Sequence, residues 1–139
     1  MVKDGNLSLE ELYEHANRLC MEHWGITYTG RIELVSRNWA ARNGCFIYDR
    51  GTEERFIRMS KKRNSGRKKE EVLATLLHEL VHWRLHSQGL PARDSDEEFV
   101  RECLRVGASI SLTQAAQDAV KRFKEEAEKA AEAKAVIES

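Results

Sequence analysis

From Glu70 to about His86 the chain carries Leu73, Leu76, Leu77, Leu80, Val81, Trp83 and Leu85 at helical spacing, and these residues cover more than one face of the helix they predict. A helix apolar over so much of its circumference is buried on several sides. His78, Glu79 and His82 interrupt it. Polar groups placed there are costly unless they have partners, so the three side chains call for a reason of their own.

Metal chemistry supplies one. Residues four apart on a helix share a face about 6 Å apart along the axis, so the imidazoles of His78 and His82 can converge on one ion. Zinc accepts imidazole nitrogen readily, and a catalytic zinc keeps three protein ligands and an open position for water. Glu79, next to the first ligand, can take a proton from that water as a general base. The expectation is therefore one Zn2+ on His78 and His82, with Glu79 catalytic. His86 lies about 12 Å up the axis from His78 and is rotated by roughly 80°, too far to share the ion. It reads as a surrounding or surface residue whose place near the helix C-terminus favours the protonated form.

A third ligand is expected after the Gly89-Leu90-Pro91 turn, where Asp94, Asp96, Glu97 and Glu98 follow. Ser95 and Glu98 have the spacing of a capping box, which gives some of these carboxylates a structural duty. Asp94 stands just before that box and is the first choice; Asp96, Glu97 and Glu98 are the alternatives.

The 139 residues suffice for one domain with a core. Ser8 and Glu11 form a capping box for a first helix running to about Gly25. Arg31 to Ser36, Gly44 to Tyr48 and Arg55 to Met59 read as three short strands. The stretch from Ser60 to Lys69 reads as a polar, basic turn. A helix opens near Asp94 and ends at Gly107; Ser111 to Gln114 then offers a third capping box for a tail helix to about Ile137. In that tail Ala116, Val120, Phe123, Ala127 and Ala130 recur at steps of four and three, a short seam whose alanines make it weak as an independent dimer interface and leave intramolecular packing or weak pairing open. Packing of its first half against the domain is the favoured reading. The expected fold class is α+β: a small, mostly antiparallel sheet packed on helices, with residues 1–110 as the domain and 111–139 as a long C-terminal helix, part of it or an appendage.

The segment from about Trp39 to Ala108 resembles the SprT-like family of zinc metallopeptidases, to which the DNA-dependent protease Spartan belongs. A strand ending in Phe56-Ile57-Arg58-Met59-Ser60 comes first, then Leu77-His78-Glu79-Leu80-Val81-His82-Trp83, a glycine-containing turn, Asp96-Glu97-Glu98-Phe99 and Arg105-Val106-Gly107. The resemblance implies a compact zincin-like domain, zinc on His78 and His82, and Glu79 as general base in peptide-bond hydrolysis, with a protein or peptide as substrate. The chain departs from the family twice. Members commonly place a third histidine just before the glutamate-phenylalanine pair, where this chain has Ala92-Arg93-Asp94-Ser95-Asp96, and many end in a cysteine zinc ribbon that is missing here.

A zincin-like fold with an incomplete site, docking on DNA or a protein, is the alternative to an enzyme. The 23 basic and 23 acidic residues cancel, so no global field draws the chain to nucleic acid or a membrane. Lys61, Lys62, Arg63, Arg67, Lys68 and Lys69, with Arg58, form one local basic concentration that could contact DNA phosphates, although a solvated loop is the commoner meaning of such a run. Three separated cysteines, Cys20, Cys45 and Cys103, read as free thiols. With no signal-like N-terminus and no membrane-length apolar run, the expected location is cytoplasmic. Trp39, Phe46, Tyr48 and Phe56 are expected in the core, and Trp83 either there or on the wall of the metal pocket.

Overall fold

A computed structural model describes residues 2–138, with side chains described to residue 135. Helix α1 (Leu9–Trp24) begins where expected: the Ser8 hydroxyl accepts from Glu11 N at 3.1 Å, and Ser8 N donates to the Glu11 carboxylate at 3.0 Å. Such a cap contributes about 1 kcal/mol. Strands β1 (Arg31–Val35), β2 (Gly44–Asp49) and β3 (Glu54–Ser60) follow, close to the predicted runs. They form one sheet in the order β1-β3-β2. β2 and β3 make an antiparallel hairpin, but β1 pairs with β3 in parallel. The sheet is therefore mixed and not mostly antiparallel: the connection from β1 carries the chain past the position beside it, so β3 becomes the central strand and β2 an edge.

The predicted basic turn contains a short helix, α2 (Lys61–Ser65), capped by the Ser60 hydroxyl accepting from Arg63 N at 3.2 Å. Two of its arginines have internal work. Arg63 donates to the Asn43 side chain and to the Trp39 and Ala40 carbonyls, and Arg67 donates to Asn64, Thr75 and the Glu71 carbonyl. Arg58 pairs with Glu33 at 3.2 Å. Of the basic run, Lys61, Lys62 and Lys68 are exposed.

Helix α3 (Lys69–Ser87) is buried on several sides, as its pattern predicts, with Val72, Leu76, Leu77, Leu80, Val81, Trp83 and Leu85 all buried. It touches α1 and the sheet, and it also touches α4 (Glu97–Val106). Its first turn is held from a distance, since the Asp4 carboxylate accepts from Lys69 N at 2.7 Å. Its end is a Schellman turn: Leu90 N donates to Leu85 O, Gly89 N donates to His86 O, and Gly89 takes φ 71°, a left-handed conformation that glycine adopts without penalty.

The expected capping boxes of the last two helices do not form. Asp96, not Ser95, is the N-cap of α4, and its carboxylate accepts from Arg93 N in the preceding turn. Helix α5 (Gln114–Glu138) is capped by Thr113, whose hydroxyl accepts from Ala116 N. The first half of α5 packs on α4, where Ala116 and Ala119 are buried with Val100 and the Arg101 guanidinium lies 4.7 Å from the Phe123 ring centre. Ala127 and Ala130 are exposed. Among the described residues no helix is long and apolar enough to cross a membrane. The cysteines are free, Cys20 and Cys103 buried and Cys45 half-buried.

Candidate metal centre

Cleft geometry follows from the sheet order. Because β2 is an edge strand lying over α3, a cleft of about 890 Å³ opens between its free edge, the exposed face of α3 and the loops on either side of α4. His78, Glu79, His82 and His86 line it, and so does Asp94.

The two histidines and Glu79 bring ligand atoms within 4.8 Å of one another. Asp94 comes to the same point from the turn after α3: its Oδ1 lies 3.0 Å from His78 Nε2 and 2.8 Å from His82 Nε2. Each imidazole is oriented by a backbone carbonyl on its other nitrogen. Nδ1 of His78 lies 2.6 Å from Ser109 O, and Nδ1 of His82 lies 2.5 Å from Ala92 O. A carbonyl only accepts, so both Nδ1 atoms carry hydrogen. Both Nε2 atoms therefore face a carboxylate oxygen that also only accepts. Positive charge has to lie between them, either as a second proton on the rings or as one shared cation. Histidines that hold metals are oriented in this same way, Nδ1–H on a carbonyl and Nε2 free.

Electrostatics agree with that demand. Burial draws the His78 pKa down, but the Asp94 and Cys103 side chains and the Glu79 charge outweigh it, and the group is pushed up to about 11. Hydrogen bonds to His78 and then His82 hold the Asp94 carboxyl well below the usual range against the opposing effect of burial. Glu79 is 5% exposed, and burial raises its pKa against the pull of His78 and His82. Its Oε1 lies 4.0 Å from His82 Nε2, farther than Asp94.

The remaining acidic candidates have other partners or face solvent, although Asp96 also lines the cleft. Glu97 pairs with Arg122 at 2.6 Å, Asp96 is held by the Arg93 backbone, and Glu98 is exposed on the first turn of α4. His86 stays apart from the histidine pair, as its spacing predicts. It is not favoured as a cation, however, because burial and then the Arg55 charge lower its pKa, and its Nδ1 accepts from Arg55 Nε at 2.8 Å.

Several contributors escaped the sequence reading. The Phe99 ring stacks on His82 at 4.0 Å and meets His78 edge-on at 5.0 Å, while Phe46 stacks at 6.0 Å from His82. Phe46 and Tyr48 thus line the cleft and are only half-buried, whereas Phe56 is in the core. Trp83 is buried against Tyr28 and is no part of the pocket wall. Alternation along β2 was the available signal for Phe46 and Tyr48, since residues two apart share a face. Nothing in side-chain identity announces the Ala92 and Ser109 carbonyls.

No protein-family model matches the chain, and no curated protein or solved structure matches it either.

Proposed function

We propose that the chain is a zinc metallopeptidase of the SprT-like kind, with a zincin-like fold, in which His78, His82 and Asp94 hold the ion and Glu79 is the general base. The observation that carries this reading is the convergence of two Nε2 atoms and one Asp94 oxygen on a single point, with both Nδ1 atoms tied to backbone carbonyls. Zinc supplies Lewis acidity there, polarising a carbonyl and lowering the pKa of a water toward neutrality. Glu79 takes the proton of the attacking water on its carboxylate and returns it to the departing amine. Its burial, which raises its pKa, makes the carboxylate a better acceptor than an exposed glutamate. The unpaired edge of β2 beside the site supports an extended polypeptide as substrate, because backbone N–H and C=O groups along such an edge can pair with an added strand. Association with DNA through Lys61, Lys62, Lys68 and Lys69 is a secondary reading. Arg63 and Arg67 contribute less to it, since their donors are engaged within the protein.

The test is zinc content and hydrolysis of an unfolded protein substrate, before and after chelation. One zinc per chain is expected, with hydrolysis lost on its removal and regained on its return. Protein that binds no zinc sinks the reading. Chelated protein offers a second expectation. With His78 raised to about 11 in the folded state against 6.5 for an ordinary histidine, its pairing stabilises the fold fully below pH 6.5, and this contribution fades as pH rises toward 11. The melting temperature of the chelated protein should thus fall between pH 6.5 and 9. That of the zinc-loaded protein should fall less, because the ion replaces the proton. Equal slopes would contradict the shared site.

A further inference from the structure

Beyond the metal ligands the cleft continues toward the C-terminal end of α3, and its walls there change character. Tyr48 lies 4.6 Å, centre to centre, from His86, and Phe46 lies 5.5 Å from it. Leu90, which is 42% exposed, and Pro91, from the turn after α3, line the cleft as well. All five residues line the cleft, and the three rings are half-buried. His86 cannot turn freely, because Arg55 Nε donates to its Nδ1 at 2.8 Å, and the same guanidinium lies 5.1 Å from the Tyr48 ring centre. Arg55 in turn is fixed opposite Tyr48 in the β2–β3 ladder. With Nδ1 an acceptor, the imidazole presents a neutral ring to the cleft.

Spacing ties this corner to the reacting bond. Phe46 lies between two histidines of α3, 6.0 Å from His82 and 5.5 Å from His86, and Tyr48 stands against His86. Two residues of strand advance about 6.8 Å and four residues of helix about 6 Å, so the step from Phe46 to Tyr48 is close in length to the step from His82 to His86. An extended chain on the free edge of β2 advances at the strand's rate. With its backbone level with Phe46, near the histidine pair, it sets the side chain two residues along level with Tyr48.

We propose that Phe46, Tyr48, His86 and Leu90 form a specificity subsite for an aromatic side chain of the bound polypeptide, within two residues of the scissile bond. The proposal rests on the peptidase reading for its location and on the ring geometry for its chemistry. Aromatic walls receive an aromatic ring by burial and offset or edge contacts, a charged group gives up its hydration to enter, and the Arg55 guanidinium already beside the Tyr48 ring repels a further cation. The residues are positioned to select the substrate and take no part in the proton transfers.

Binding can be read without turnover. Glu79→Gln protein with one equivalent of zinc is titrated with alanine-based octapeptides, blocked at both ends and fluorescently labelled, that carry one phenylalanine, glutamate or lysine at each position in turn. Phenylalanine at one position should tighten binding roughly tenfold or more over alanine, the effect of burying one aromatic side chain. Adding Tyr48→Ala should remove that preference, and adding Leu90→Ser should weaken it severalfold. Because Leu90 is exposed, the second variant decides the matter if the first does not fold. A preference for glutamate or lysine, equal binding of all peptides, or an unchanged phenylalanine preference in both variants overturns the subsite. Wild-type protein that cleaves none of these peptides counts against the proposed reaction, while the binding titration still judges the subsite.

Discussion

Glutamine in place of Glu79 is expected to leave zinc bound at full stoichiometry while lowering peptide hydrolysis by roughly 10² to 10⁴, the usual contribution of a positioned acid/base. The substitution keeps volume and shape, which matters for a side chain 5% exposed between α3 and the cleft. It removes the carboxylate that accepts the proton of the attacking water and leaves His78, His82 and Asp94 untouched. A drop in kcat with little change in KM is the signature of a lost transition-state interaction. Loss of zinc along with activity would mean that Glu79 is itself a ligand. Unchanged hydrolysis would end its role as the base.

Asp94→Ala is expected to lower zinc affinity by more than about a hundredfold, beyond the 10- to 100-fold typical of residues that only orient a ligand. The same variant should lose hydrolysis in proportion to the zinc it fails to hold. Asp94 is half exposed and sits in a turn, so its removal does not open a core cavity. Its effect is electrostatic: two imidazole Nε2 atoms 3.0 and 2.8 Å from one oxygen lose the anion that offsets the bound charge. Competition with a chromophoric chelator measures the change directly. Full zinc retention would remove Asp94 from the ligand set.

Those two residues also mark how far the sequence alone reaches. Helix α3, its glycine-terminated end and the relation of His78, Glu79 and His82 follow from periodicity, because a helix converts spacing directly into position. Asp94 required a further step, in which the duties of its neighbours were set aside, and the structure does place it on the histidine pair and the other carboxylates away from it. The sheet was legible strand by strand but not in its order, since β1 meets β3 across the whole of β2 and its loops, with partners such as Arg31 and Phe56 far apart in the chain, and ladder partners leave no mark on local pattern. The glycine ends at Gly25 and Gly107 were read correctly, but among the N-terminal capping boxes only the one at Ser8 forms as expected. Before α4 and α5 several hydroxyls and carboxylates competed, and local backbone geometry chose Asp96 and Thr113. The protonation expected of His86 failed because position on a helix says nothing of an arginine that arrives from a strand.

The two carbonyls behind the histidines carry a consequence for how such a chain can vary over evolutionary time. Ala92 and Ser109 hold His82 and His78 through main-chain oxygens, which nearly every residue type would supply equally well. Substitutions at those positions are therefore filtered by the path of the backbone and hardly at all by the chemistry of the side chain. Selection on the centre would fall on a handful of side chains and on the turns that bring the carbonyls inward, Gly89 above all. Descendants of such a chain can drift apart in most of their letters while the two imidazoles keep their tautomer and their aim.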